Sequence, residues 1–193
     1  MESKSHEYLR RLDSSFYMGN ATVHWSHTID QRRTGWLTSD FHSRFRELLL
    51  HVGYTYHVWT LAYSLMPDHF HILWFGVDES SDQKLATTWL RREANKALKS
   101  AGDSQTRLQK QPYDHVLRPQ ETDRFSIEKV ASYLWENPTR AGLSFSNSSG
   151  PFIGSVIPGS TRLSWHGEIV PPYFWEKFWS HRSRAIASQE KRT

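Results

Sequence analysis

Residues 21–29 (Ala-Thr-Val-His-Trp-Ser-His-Thr-Ile) alternate polar and apolar side chains, the two-residue period of a strand with one covered face. A basic turn, Arg32-Arg33-Thr34-Gly35, follows. The period then lengthens, and Phe41, Phe45, Leu48 and Leu49 fall on one helical stripe with Ser39 at its cap and Gly53 as its stop. Residues 54–64, rich in aromatic and β-branched side chains, predict a second strand, and residues 69–77, after the break at Pro67, a third; the two make a hairpin. Helical spacing returns over 83–101 with Leu90, Ala94, Ala97 and Ala101 in line and Gly102 beyond. A short strand is predicted over 113–118, and then a helix from about Ser126 with the stripe Ile127, Val130, Ala131 and Leu134. Beyond Leu143 the pattern gives way to Ser/Gly/Pro-rich sequence over 144–160 and to a dense aromatic segment from Trp165 to Trp179.

The order strand, helix, strand, strand, helix, strand predicts an α+β fold of ferredoxin-like (βαββαβ) type, with an antiparallel sheet, helices on one face and the other face free to carry a site. The chain divides into an N-terminal extension (1–20), this domain (21–143), and a loop with an aromatic tail (144–193) expected to pack on the same domain. At 193 residues it can bury a sizeable core without staples. The absence of cysteine removes thiolate ligands and thiol nucleophiles, leaving His, Asn, Gln, Asp and Glu for any metal. Lys and Arg outnumber Asp and Glu by 24 to 20, which mildly favours anionic partners. No run reaches membrane-spanning length and residues 1–20 lack the apolar core of a secretion signal, so a cytoplasmic protein without membrane contact is expected.

The candidate chemistry begins at Met66-Pro67-Asp68-His69-Phe70-His71. On a strand His69 and His71 project from one face, close enough to share a metal ion, although two histidines on the wet face of a strand need have no function. On the last predicted helix Tyr133, Asn137 and Arg140 stand at i, i+4 and i+7, a second line flanking the apolar stripe. Pro138 disfavours helical geometry at Asn137, and a boundary tyrosine packing its ring is the plainer account of Tyr133.

Three blocks in order, Met66-Pro67-Asp68-His69-Phe70-His71, Tyr113-Asp114-His115-Val116-Leu117-Arg118 and Tyr133-Leu134-Trp135-Glu136-Asn137-Pro138-Thr139-Arg140-Ala141-Gly142-Leu143, resemble the hallmark blocks of single-tyrosine HUH transposases, and most closely the REP-associated tyrosine transposases. The resemblance spans 21–143. It implies an HUH nuclease domain in which His69 and His71 hold a divalent metal, Mg or Mn with zinc also compatible, Asn137 supplies a third ligand through its side-chain oxygen, and Tyr133 is the nucleophile. His115 and Arg118 match a block near the site without an assigned role. The implied reaction is cleavage and strand transfer of single-stranded DNA at a hairpin through a 5′-phosphotyrosine intermediate, by a monomer or homodimer. Arg32, Arg33, Arg91, Arg92, Lys96, His115, Arg118 and Arg140 are candidate DNA contacts. Trp165, Tyr173, Phe174, Trp175 and Trp179 can stack bases, but packing on the core is expected for most of them.

Two other enzyme classes leave traces. His24-Trp25-Ser26 has the form of one half of a two-histidine phosphoesterase, whose second half is missing at His69-Phe70-His71. A cupin-type site would need a glutamate near Gly76 and an all-β chain. A non-catalytic single-stranded nucleic-acid-binding module on the same fold is the remaining alternative.

Overall fold

The structure, a computed structural model, describes residues 11–101, 104–143, 152–157 and 172–190. Its elements run β1 (Thr22–Thr28), α1 (Ser39–Thr55), β2 (Val58–Met66), β3 (His69–Gly76), α2 (Gln83–Ala101), β4 (Tyr113–Val116), α3 (Arg124–Arg140), β5 (Ile153–Val156) and α4 (Pro172–Glu190). The strands form one antiparallel sheet in the order β4-β1-β3-β2-β5. The first four strands with α1 and α2 make the expected ferredoxin-like unit, and β5 extends it beyond β2.

Alternation along the strands divides the core in two. Val23, Trp25, Phe70, Ile72 and Trp74 point to one face, where Phe41, Phe45 and Leu49 of α1 and Leu90, Ala94 and Leu98 of α2 cover them. Leu61, Ala62, Leu73 and Phe75 point to the other, where they meet Ile127, Ala131 and Leu134 of α3 and Phe174 and Phe178 of α4. The second face is thus covered along part of the sheet by α3 and α4, and the rest bears the polar residues of β1, β3 and β4.

Several boundaries depart from the sequence pattern. Gly53 does not stop α1; it is buried inside the helix, which runs on to Thr55, so the start of the predicted second strand is helical. The reversal comes at His57, in the left-handed region at φ 52°, with its Nδ1 2.8 Å from the Asp78 carboxylate. Pro138 does not end α3 either. It is buried, and the helix ends beyond Arg140, where Gly142 takes φ 67°. β4 stops at Val116; Leu117 turns into the second core and Arg118 leads a short turn in which its N–H donates to Glu121 at 2.8 Å.

Residues 11–20 pack on this body. Tyr17 is buried over Trp25, its hydroxyl donates to Asp114, and the carbonyl of Gly19 comes so close to Gly76 that a Cβ there would meet it at 1.8 Å. In α4, Trp175 and Trp179 lie against the second core beside Phe174 and Phe178. Trp165 and the side chain of Tyr173 lie outside the described residues. No described helix is long and apolar enough to cross a membrane.

Candidate active site

β3 carries His69 and His71 on the face away from α1 and α2, because the intervening Phe70 is locked into the first core by Phe45 and His27. Their Nε2 atoms are 3.0 Å apart, with the ring planes nearly perpendicular at 88°. Ligand atoms about 2.1 Å from one cation and at right angles around it lie about 3.0 Å apart, so the pair has the spacing of two neighbouring ligands.

The outer nitrogens are held as well. Nδ1 of His69 donates to Asp68 Oδ1 at 2.6 Å, and the other oxygen of Asp68 accepts from Arg32 at 2.8 Å. Burial pushes the Asp68 carboxyl up, but its bonds to Arg32 and His69 outweigh this and hold it below the usual carboxylate range. A carboxylate can only accept, so the hydrogen of His69 sits on Nδ1 and the Nε2 lone pair faces His71. Nδ1 of His71 lies 3.1 Å from Nε2 of His24 on β1. Burial, with His24 and His69 nearby, pushes His71 down to about 3, and burial with His115 nearby pushes His24 down to about 4, so both are neutral at physiological pH. Neutral imidazole is the form that binds metal.

Among the described residues no three His, Asp or Glu side chains converge as a metal cage. Among the described residues a third ligand would be of another type, the place expected for the Asn137 amide.

α3 is seated by Ile127, Ala131 and Leu134 in the second core and is tied to β5 by one hydrogen bond. Trp135 Nε1 donates to the carbonyl of Gly154 on β5 at 3.0 Å; Gly154 pairs with Tyr63 of β2, and Tyr63 with Ile72 of β3, the residue after His71. The Trp135 indole is thereby tied to the sheet at the height of Ile72. Tyr133 and Asn137 lie two residues to either side of Trp135, each about 160–200° around the helix, and so on the side of α3 away from that bond. Tyr133 is 46% exposed, and its hydroxyl has no hydrogen-bond partner among the described residues. The Arg140 guanidinium lies 4.5 Å from the centre of its ring. The half-buried Asn137 carboxamide is likewise without a partner among the described residues.

The other candidates divide by face. His115 sits opposite His24 across the β1/β4 ladder and lies 3.2 Å from Glu121, while Arg118 is exposed at the end of that strand. Arg32 reaches the site through Asp68, and Arg33 bonds Gln31 beside it. Arg91, Arg92 and Lys96 are on α2, behind the sheet. Arg92 and Lys96 pair with Glu93, and Arg91 opens with Arg11 and Lys110 into a concavity of about 250 Å³. The sequence reading gave His24 no part in a metal site. Its alternation with Trp25 was a visible signal, but the partner strand that makes it meaningful was not.

No family model and no curated protein matches the chain in sequence. Among solved structures, that of a REP-associated tyrosine transposase bound to a REP hairpin is similar over 72% of this chain and 76% of that one, with a TM-score of 0.54 and 20% identity. At that identity the likeness is one of fold, and it is the fold that the three sequence blocks implied.

Proposed function

We propose that the protein is a metal-dependent enzyme that cleaves and rejoins single-stranded DNA at hairpin sequences, with Tyr133 as nucleophile. The observation that supports this reading is that the His69 and His71 pair, with Nε2 atoms 3.0 Å apart, lies on the same face of the sheet as α3, the helix that carries the exposed, unpartnered phenol of Tyr133. The solved transposase with the same fold was captured on a REP hairpin, which supports the same class of substrate here.

His69 and His71 would hold the ion, with the Asn137 side-chain oxygen as third ligand. Mg or Mn bound there would neutralise charge on the scissile phosphate and orient it. Three neutral ligands leave that charge undiminished. Tyr133 Oη attacks the phosphorus in line with the bond to the 3′-oxygen; that bond breaks, the 3′-oxygen takes up a proton, and the phenol proton leaves to solvent, which reaches the exposed ring. The 5′-phosphate stays on Tyr133, and the phosphotyrosine bond is kept for attack by a second 3′-hydroxyl, which joins strands without ATP. Arg140, over the Tyr133 ring, is placed to meet the phosphate backbone beside the bond.

The geometry disfavours the two-histidine phosphoesterase. Such hydrolysis needs a phosphate between two facing imidazoles, whereas His24 and His71 are hydrogen-bonded at 3.1 Å. The sheet with packed helices is also not a cupin.

The test is to incubate the protein with hairpin-bearing single-stranded DNA and Mg or Mn and to separate the products under denaturing conditions. A covalent protein-DNA adduct that forms with wild type and not with Tyr133→Phe supports the assignment. An adduct that persists in Tyr133→Phe removes this nucleophile, and binding without any adduct makes the protein a non-catalytic module.

A further inference from the structure

We propose that His24 is a positioning residue that sets the tautomer of His71 and thereby decides whether the His69 and His71 pair is open to a metal ion or closed on itself. The proposal rests on the metal site proposed above.

Three imidazoles stand in one row on the sheet, and their hydrogens can be counted. His69 has its hydrogen on Nδ1, facing Asp68 at 2.6 Å, and offers a lone pair at Nε2. His71 Nε2 is 3.0 Å from that lone pair, and His71 Nδ1 is 3.1 Å from His24 Nε2. A neutral His71 has one hydrogen to place. On Nε2 it is donated to His69, and the lone pair needed for an ion is consumed. On Nδ1 it is donated to His24, and two lone pairs converge as a chelate.

The nitrogen of His24 that faces His71 chooses between these states. With its own hydrogen on Nδ1, His24 accepts from His71 and holds the pair open. With that hydrogen on Nε2, His24 donates to His71 and the pair closes. Entry of an ion therefore shifts two tautomers in concert, with no proton gained or lost by the row. The backbone holds the two rings in register: β1 pairs with β3 so that Ser26 opposes His71 and His24 opposes Leu73, which makes His24 and His71 diagonal neighbours on one face, with ring centres 5.1 Å apart. Asp68 plays the equivalent part for His69, so each imidazole of the pair has its own outer partner.

The experiment measures Mn binding to the full chain, from the electron paramagnetic resonance signal of free Mn, for wild type, His24→Phe, His24→Gln and His69→Ala. Nitrogen-15 spectra of the Mg-loaded wild type report the His71 and His24 tautomers directly. His24→Phe, which cannot accept, is expected to weaken Mn binding about 10- to 100-fold, the usual effect of losing an outer partner. His24→Gln, whose side-chain oxygen can accept from His71 Nδ1, is expected to restore most of it. Mg-loaded wild type is expected to carry its hydrogens on Nδ1 of both histidines. Wild-type affinity in His24→Phe, or an Nε2 hydrogen on His71 in the Mg-loaded wild type, overturns the proposal; the spectra need no variant to fold. Mn binding that is lost in His69→Ala and unaffected by His24→Phe leaves the metal site standing and removes only the role of His24. Binding equal in wild type and His69→Ala removes both.

Discussion

His27 and His71 sit on neighbouring strands, are both neutral through burial, and do opposite things. His27 points to the face covered by α1 and α2, where it stacks on Phe70 with ring centres 4.8 Å apart and its Nε2 meets the Thr87 hydroxyl at 3.2 Å. It is a satisfied core histidine. His71 points to the opposite face, where both of its nitrogens meet nitrogens of other histidines. The lesson is that burial and a lowered pKa do not by themselves mark an imidazole as a candidate site residue; the chemistry of its neighbours separates His71 from His27. Thr87 and Phe70 enclose His27, whereas His71 meets only the ring nitrogens of His24 and His69, either of which can accept or donate.

The largest effect expected from testing this contrast is on the open face. Tyr133→Phe removes one unpartnered oxygen, so the adduct should disappear, a loss of at least about 1,000-fold in cleavage, while the melting temperature stays within about 2 °C of wild type. A shift beyond that would mean that the hydroxyl is structural. On the covered face the order should reverse. Phe70→Ala empties a site between Phe45 and His27 and is expected to cost about 3–5 kcal/mol in a denaturant titration. His71→Ala should cost less in the same titration yet abolish Mn binding, and equal costs would erase the distinction between the faces.

The pH dependence comes next. Burial first, then the nearby charges of Arg91 and Arg11, push His27 down to about 3, against about 6.5 for the unfolded chain. Between those values the unfolded chain takes a proton that the folded one refuses. The contribution of His27 is therefore complete above about pH 6.5 and lost progressively as pH falls toward 3, by up to about 1.4 kcal/mol per pH unit. Melting curves at pH 7.5 and 5 should show the loss, and a folded His27→Gln variant should show less of it. A wild-type curve that is flat over this range would contradict the burial of His27. The smallest effect is expected on α2. Arg92 and Lys96 lie behind the sheet and already pair with Glu93, so replacing both with alanine should change hairpin-DNA affinity less than about threefold, measured by fluorescence anisotropy. A tenfold loss would put DNA on both sides of the molecule.

Much of this was legible in the sequence where a pattern is local. α2 begins and ends where the spacing of Leu90, Ala94 and Ala101 placed it, and β3 falls on the histidine block, because a helical stripe and a strand alternation need nothing beyond the segment itself. What escaped was set by distant contacts. Gly53 is a plausible helix stop in isolation, but it is buried under the first core and α1 continues through it. Ile153 to Val156 lies in a Ser/Gly/Pro-rich stretch and becomes a strand only because β2 offers an edge. α4 was not read as a helix, although Phe174 and Phe178, like Trp175 and Trp179, stand four apart. Of the candidate site, the histidine pair and the Tyr133 line were visible as motifs. The role argued for His24 was not, because pairing register across β1 and β3 is not written in either strand alone.

The bond from Trp135 to Gly154 ties α3 to the outermost strand, and this has a consequence for how such a protein can diversify. Gly154 lies on a four-residue edge strand that contributes nothing to the pair of histidines. Gaining or losing one residue there would move the acceptor for Trp135 by about one strand step, roughly 3.3 Å. Under the proposed function, a change in the length of that peripheral strand would disturb the seating of the helix that carries Tyr133 while His69 and His71 are left untouched.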